Sequence, residues 1–243
     1  MGTKQSGSAS GVGVGGEHDP IRVFIGYDEK ESVAYHVLAH SILRHASRPV
    51  SITPLVKSHM AGFYRRERSA IESTDFSFTR FLVPYLSGYQ GWSVFMDCDM
   101  LMTADVSELF QLRDERFAVM CVKHDYVARD DVKFLGAVQT KYEKKNWSSV
   151  MLFNNAKCSA LTPDVVASET GLFLHQFKWL AGDEEIGAIP TTWNYLVGEM
   201  TMPGTPKLIH YTLGGPYFDS YRDCEHADKW FAEQRLMCHS AKG

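Results

Sequence analysis

The chain has 243 residues, 44% hydrophobic and 22% charged, which suits one globular domain with a real core and is short for two. A formal net charge of −4 supplies no global basic field, so a general nucleic-acid binder is not expected. No apolar run reaches the roughly 18 residues of a membrane span, and the N-terminus lacks the apolar region of a signal peptide. The expectation is a cytoplasmic protein without an integral membrane segment, one that could still dock peripherally on a membrane. Five cysteines (Cys98, Cys121, Cys158, Cys224, Cys238) are odd in number and form no CxxC, which reads as reduced thiols.

Residues 1–20 are rich in Gly and Ser and poor in large apolar side chains, so a flexible tail is expected there. Gly11, Gly13, Gly15 and Gly16 follow no strand and open no helix, which removes them as a phosphate loop. The ordered domain, residues 21–243, begins with Ile21–Gly26, a strand-like run. Glu31–Ala46 follows as a helix with Ala34, Val37, Leu38, Ser41 and Ile42 on one face, and then a strand at Val50–Val56. Strand, helix and strand in about 35 residues make a βαβ unit and favour a parallel sheet.

Phe78–Leu86 has helical character, with Pro84 expected to kink or end it. Trp92–Met96 is a continuous apolar run of the kind buried on both faces. Asp105–Phe110 reads as helix, Phe117–Val122 and Val150–Phe153 as buried strands, and Lys207–Tyr211 as a short late strand. Glu225–Cys238 is expected to be a helix packing Trp230, Phe231 and Leu236. The whole is one α/β domain.

Chemistry concentrates where Trp92–Met96 runs into Asp97-Cys98-Asp99. Two carboxylates just beyond a buried strand sit where open α/β sheets bind ligands. Their charge calls for compensation, and a hard divalent cation, Mg²⁺ or Mn²⁺, would supply it while bridging to the phosphates of a nucleotide.

These residues resemble a GT-A-fold glycosyltransferase, closest to the family 8 group of glycogenin-like and bacterial galactosyltransferase enzymes. Four stretches carry the likeness: the first strand ending in Tyr27-Asp28, Thr79-Arg80-Phe81-Leu82-Val83-Pro84, the Asp97-Cys98-Asp99 strand end, and His210 to Phe218. The resemblance implies a single Rossmann-like domain with a mostly parallel central sheet flanked by helices. It implies Mn²⁺, with Mg²⁺ as the alternative, held by Asp97, Asp99 and His210. It also implies a nucleotide-sugar donor, UDP-linked, and a carbohydrate acceptor; the oligomeric state is left open. Tyr27 and Asp28 would lie against base and ribose, Asp97 would also reach the donor, and Arg80 would clamp phosphate or else form a salt bridge on a helix surface.

The chain also departs from the family. Gly215 replaces the family's Lys before Pro216, so backbone amides of Gly214 and Gly215 stand in as phosphate donors, or the pair is a tight turn. The family's Asn-x-Gly is not matched: Trp147-Ser148-Ser149 occupies its place with Asn146 one residue earlier, and Asn146 and Trp147 are candidates for the acceptor or sugar cleft. Asp183-Glu184-Glu185 falls where the family has an Asp-Gln pair beside the sugar. Glu184 could act as base, nucleophile or charge stabiliser, or the acids could simply begin a solvated helix. His124 and Asp125 are candidates for the acceptor cleft. Trp193 would stack on a sugar or pack in the core, and Arg65, Arg66 and Arg68 would attract an anionic acceptor or lie in a solvated loop. Three other readings stay open: a metal-dependent nucleotidyltransferase, a nucleotide-sugar-binding module and a sugar-nucleotide hydrolase.

Overall fold

The structure, a computed structural model, describes residues 19–67, 72, 74–124 and 143–239. Its first strand, β1 (Ile21–Gly26), is almost wholly buried. Helix α1 (Ser32–His45) turns the stripe of Ala34, Val37, Leu38, Ser41 and Ile42 inward. Strand β2 (Val50–Leu55) returns parallel to β1. It tolerates Pro54 because it is the edge of the sheet, where a missing N–H leaves no neighbour unpaired.

The segment expected to be one helix is a 3₁₀ turn (Thr79–Leu82) followed by α2 (Val83–Leu86). Pro84 lies in the first turn of α2, where its N–H would have no helical partner, so it starts that helix and does not end it. Strand β3 (Trp92–Met96) is fully buried and parallel to β1. After β4 (Met100–Met102) comes α3 (Val106–Gln111), capped by Asp105, whose Oδ1 accepts from the Ser107 amide at 2.8 Å.

Strand β5 (Val119–Cys121) is shorter than its apolar run. Strand β6 (Val150–Asn154) runs antiparallel to both β3 and β5. Two short helices, α4 (Pro163–Ser168) and α5 (Gly171–His175), lead to β7 (Ile186–Ala188), which pairs parallel with β5. Strands β8 (Tyr195–Leu196) and β9 (Leu208–His210) and helix α6 (Ala227–Met237) complete the chain.

The main sheet has the order β2-β1-β3-β6-β5-β7, with β6 the antiparallel member. A second sheet, β4-β9-β8, stands beside it. The main core covers the central strands, while a smaller cluster of Val37, Leu101, Tyr195, Ile209, Tyr211 and Trp230 joins α1, the second sheet and α6. Helix α6 is tied to α1 by Glu233, which accepts from Arg44 Nε at 3.0 Å and pairs with His40 Nδ1 at 2.6 Å.

Two local expectations are corrected. Leu236 is 52% exposed, and Trp230 is the buried member of the α6 aromatic face. Arg66 is not in a solvated loop: its Nη1 donates to the carbonyls of Val166, Ala167 and Glu169 at the end of α4, and its guanidinium lies over Phe78. Among the described residues no helix is long and apolar enough to cross a membrane.

Candidate metal and nucleotide site

Strand β3 delivers Asp97 at its C-terminal end, and the Asp97 amide donates to the Ser149 carbonyl at 3.0 Å. The chain then turns through buried Cys98 into β4, which starts one residue after Asp99. Strand β9 lies against β4 with His210 opposite Met100, and the Tyr211 amide donates to the Asp99 carbonyl at 2.9 Å. This pairing sets residues more than a hundred positions apart side by side. His210 Nε2 lies 3.4 Å from Asp99 Oδ1, and ligand atoms from Asp97, Asp99 and His210 all fall within 4.8 Å of one another.

The donor set suits a divalent cation. Asp99 Oδ1 is buried without a hydrogen-bond partner among the described residues, an arrangement that is costly unless a cation or proton compensates it. Two carboxylates and one imidazole are also the ligand types that such an ion accepts.

Arg80 is buried, at 6% exposure, and its Nη1 sits 2.9 Å from Asp97 Oδ1 and 3.0 Å from the Ser148 carbonyl. The rings of Phe76 and Phe95 flank the guanidinium at 5.3 and 5.1 Å. The surface salt bridge weighed from sequence is thus an interior pair, which fixes where Asp97 points.

Glu31 and Tyr217 meet beneath the cluster, a pair that the sequence did not signal. Tyr217 donates to Glu31 Oε2 at 3.1 Å, and Cys98 Sγ lies 3.6 Å from the same oxygen. Burial, reinforced by the charge of Asp99, pushes the Glu31 carboxyl up to about 8. The contact spans 186 residues, beyond any local pattern.

Asp28 is buried at the end of β1, with Oδ1 accepting from the Lys30 amide and Oδ2 from the Asp75 amide. Tyr27 stands beside it, edge-on to Tyr35. Gly214 and Gly215 have packing reasons for their lack of a side chain. Gly214 has φ +136°, and a Cβ there would sit 2.4 Å from the Tyr221 ring; one at Gly215 would sit 2.1 Å from the Tyr217 ring.

His124, just past β5, has a buried Nε2 with no hydrogen-bond partner among the described residues. Burial pushes its imidazole down to about 4, so it is neutral at pH 7. Its carbonyl accepts from Trp147 Nε1 at 3.0 Å, and Lys123 and Lys144 approach the Trp147 ring at 5.6 and 6.0 Å. Asn146 is buried in a left-handed conformation, with Nδ2 3.4 Å from Glu199 Oε2. Trp193 is buried in the main core with Lys207 over its ring, so it offers no open face for stacking. Asp125 lies outside the described residues.

Asp183 and Glu184 are on the 3₁₀ turn that feeds β7. Strand β7 is parallel to β5 and β3, so it begins at the sheet edge opposite the one where β3 delivers Asp97. Asp183 is 73% exposed and pairs with Lys144 at 2.5 Å, while Glu184 folds back over Gly182. The fold therefore gathers Asp97, Asp99 and His210 into one cluster and leaves Asp183 and Glu184 on a separate turn.

No protein-family model matches the chain. It is 51% identical over 226 residues to Protein CDI of Arabidopsis thaliana, covering 89% of this chain and 87% of that one. Among solved structures it is similar to galactosyltransferase LgtC, seen with donor and acceptor sugar analogs, at 13% identity and TM-score 0.57, covering 91% of this chain and 98% of that one. It is also similar to glycosyltransferase GlyE of Streptococcus pneumoniae TIGR4, at 14% identity and TM-score 0.58 over 89% of this chain. The bifunctional glycosyltransferase WbbM matches at 17% identity and TM-score 0.55 over 88% of this chain. The chain spans 49% of WbbM and 60% of GlyE. These likenesses, with the sheet order above, show the GT-A fold.

Proposed function

We propose that this chain, which belongs to the same family as Protein CDI of Arabidopsis thaliana, is a metal-dependent glycosyltransferase. It moves a sugar from a nucleotide-sugar donor, UDP-linked, to a hydroxyl group of a carbohydrate acceptor. The observation that carries this reading is the Asp97–Asp99–His210 cluster at the C-terminal end of β3 in a GT-A fold. The family 8 likeness of the Tyr27-Asp28, Arg80 and His210 stretches supports the choice of donor.

Asp97, Asp99 and His210 would hold the cation, and an imidazole beside two carboxylates favours Mn²⁺ over Mg²⁺. When bound, such an ion stabilises the negative charge that builds on a departing nucleoside diphosphate, a Lewis-acid contribution of several kcal/mol. Arg80 orients Asp97 from below. Tyr27 and Asp28, at the end of the neighbouring strand β1, would border the nucleoside. His124 would present its neutral imidazole to a hydroxyl of donor or acceptor, and Asn146 and Trp147 would border the same opening. Gly214 and Gly215 keep the late loop close to the site by admitting the tyrosine rings.

Asp183 and Glu184 enter as carboxylates of the β7 turn. A catalytic role there requires that Glu184→Gln slow turnover while donor binding persists; unchanged turnover returns both to the surface. The proposal as a whole is tested with a panel of nucleotide sugars and simple glycosides in Mn²⁺, following nucleotide release and product mass. Acceptor-dependent transfer supports it. Release that ignores the acceptor would make the chain a hydrolase, and no consumption of any donor would leave a binding module.

A further inference from the structure

The second sheet does more than carry His210. Strand β8 pairs with β9 so that Leu196 lies opposite His210, and Asn194 stands just before β8. Asn194 is 0% exposed, and its Oδ1 lies 2.8 Å from His210 Nδ1. Its Nδ2 donates to the Asn146 carbonyl at 3.2 Å. That carbonyl can only accept, so it fixes which way the Asn194 amide faces. A flipped amide would set two oxygens against each other in a buried site. The oxygen must therefore face the imidazole, and only a protonated Nδ1 can donate to it.

We propose that Asn194 is a positioning residue that holds His210 in its Nδ1–H tautomer, aiming the Nε2 lone pair toward Asp99 and the cation. The inference rests on the metal-site reading above and adds to it a residue that touches neither cation nor substrate. With Nε2 unprotonated, two acceptors face each other at 3.4 Å, which is the spacing a shared cation relieves and a hydrogen bond does not need.

The test begins without metal. Histidine-¹⁵N-labelled protein in EDTA at mildly alkaline pH reports the His210 tautomer by long-range ¹⁵N–¹H correlation, assigned against His210→Ala. The Nδ1–H pattern is expected for the wild type. A His210 signal with Nε2 protonated overturns the proposal without any variant. Asn194→Leu should lose the pattern and weaken Mn²⁺ binding, followed by electron paramagnetic resonance, by about 10- to 100-fold. Asn194→Asp keeps an acceptor for Nδ1–H and should retain the tautomer, while its second oxygen, set against the Asn146 carbonyl, should lower stability. A folded Asn194→Leu protein with unchanged tautomer and Mn²⁺ affinity overturns the assignment. Undiminished Mn²⁺ binding by His210→Ala would overturn the metal reading itself, while leaving the tautomer result to stand on its own.

Discussion

Replacing Arg80 with Met removes the guanidinium while keeping a long apolar stem between the Phe76 and Phe95 rings. The wild-type pair is interior: Arg80 is 6% exposed, Asp97 is buried and the N–O distance is 2.9 Å. Breaking a buried pair by removing one partner costs about 3–5 kcal/mol, because the remaining carboxylate is left uncompensated. The Ser148 carbonyl loses its donor as well, but that loss shares the same site and does not simply add. For a 243-residue chain, roughly 2–4 °C per kcal/mol converts this to a Tm fall of about 6–20 °C. Urea unfolding of the metal-free protein, followed by tryptophan fluorescence, measures it directly. The double variant Arg80→Met with Asp97→Leu should recover part of the loss, since the carboxylate paired with Arg80 is then gone. A single Arg80→Met variant within 1 kcal/mol of wild type that nevertheless loses nucleotide binding would refute the reasoning; Arg80 would then be a solvent-facing phosphate clamp.

Asp99→Asn and His210→Ala should each abolish metal-dependent nucleotide binding while leaving circular dichroism spectra intact, as calorimetry will check. Gly214→Ala places a Cβ 2.4 Å from the Tyr221 ring at a φ of +136°, so thermal unfolding should show a loss of about 1–3 kcal/mol. Burial pushes the Glu233 carboxyl up, but hydrogen bonds from Arg44 and His40 outweigh it and hold it below its ordinary value. The unfolded chain therefore binds that proton more readily, so Glu233 stabilises the fold above about pH 4.3 and loses that contribution as the pH falls through its lower folded value. Glu233→Gln should be less stable than wild type at pH 7 and should flatten this acid-side slope in unfolding curves collected from pH 7 to pH 3.

The elements most legible in the sequence were those buried on both faces. Trp92–Met96 is a strand from its first residue to its last, and the acids beyond it do sit at its C-terminal end. The β7 and β8 strands, three and two residues long, are too short for any hydrophobic period to show. Arg80 could be found from its spacing to Pro84, but whether its guanidinium faced water or Asp97 depended on Phe76 and Phe95, residues on two different elements. His210 entered through family likeness, and only the β4–β9 pairing explains physically why it stands beside Asp99. Glu31 with Tyr217, and Asn194 with His210, are polar pairs made by tertiary contact, which composition and periodicity do not encode. The acidic run at Asp183 was conspicuous for its charge, and parallel β7 places its turn at the other edge of the sheet.

The most direct test of the central claim is calorimetric titration of UDP, with GDP and CDP alongside, in Mn²⁺ and again in EDTA. A metal-dependent UDP-sugar transferase predicts that UDP binds in Mn²⁺, that EDTA removes the binding, and that the other nucleotides bind far more weakly. Binding of no nucleotide under either condition would contradict the account and leave the Asp97–Asp99–His210 cluster on a glycosyltransferase fold without a donor.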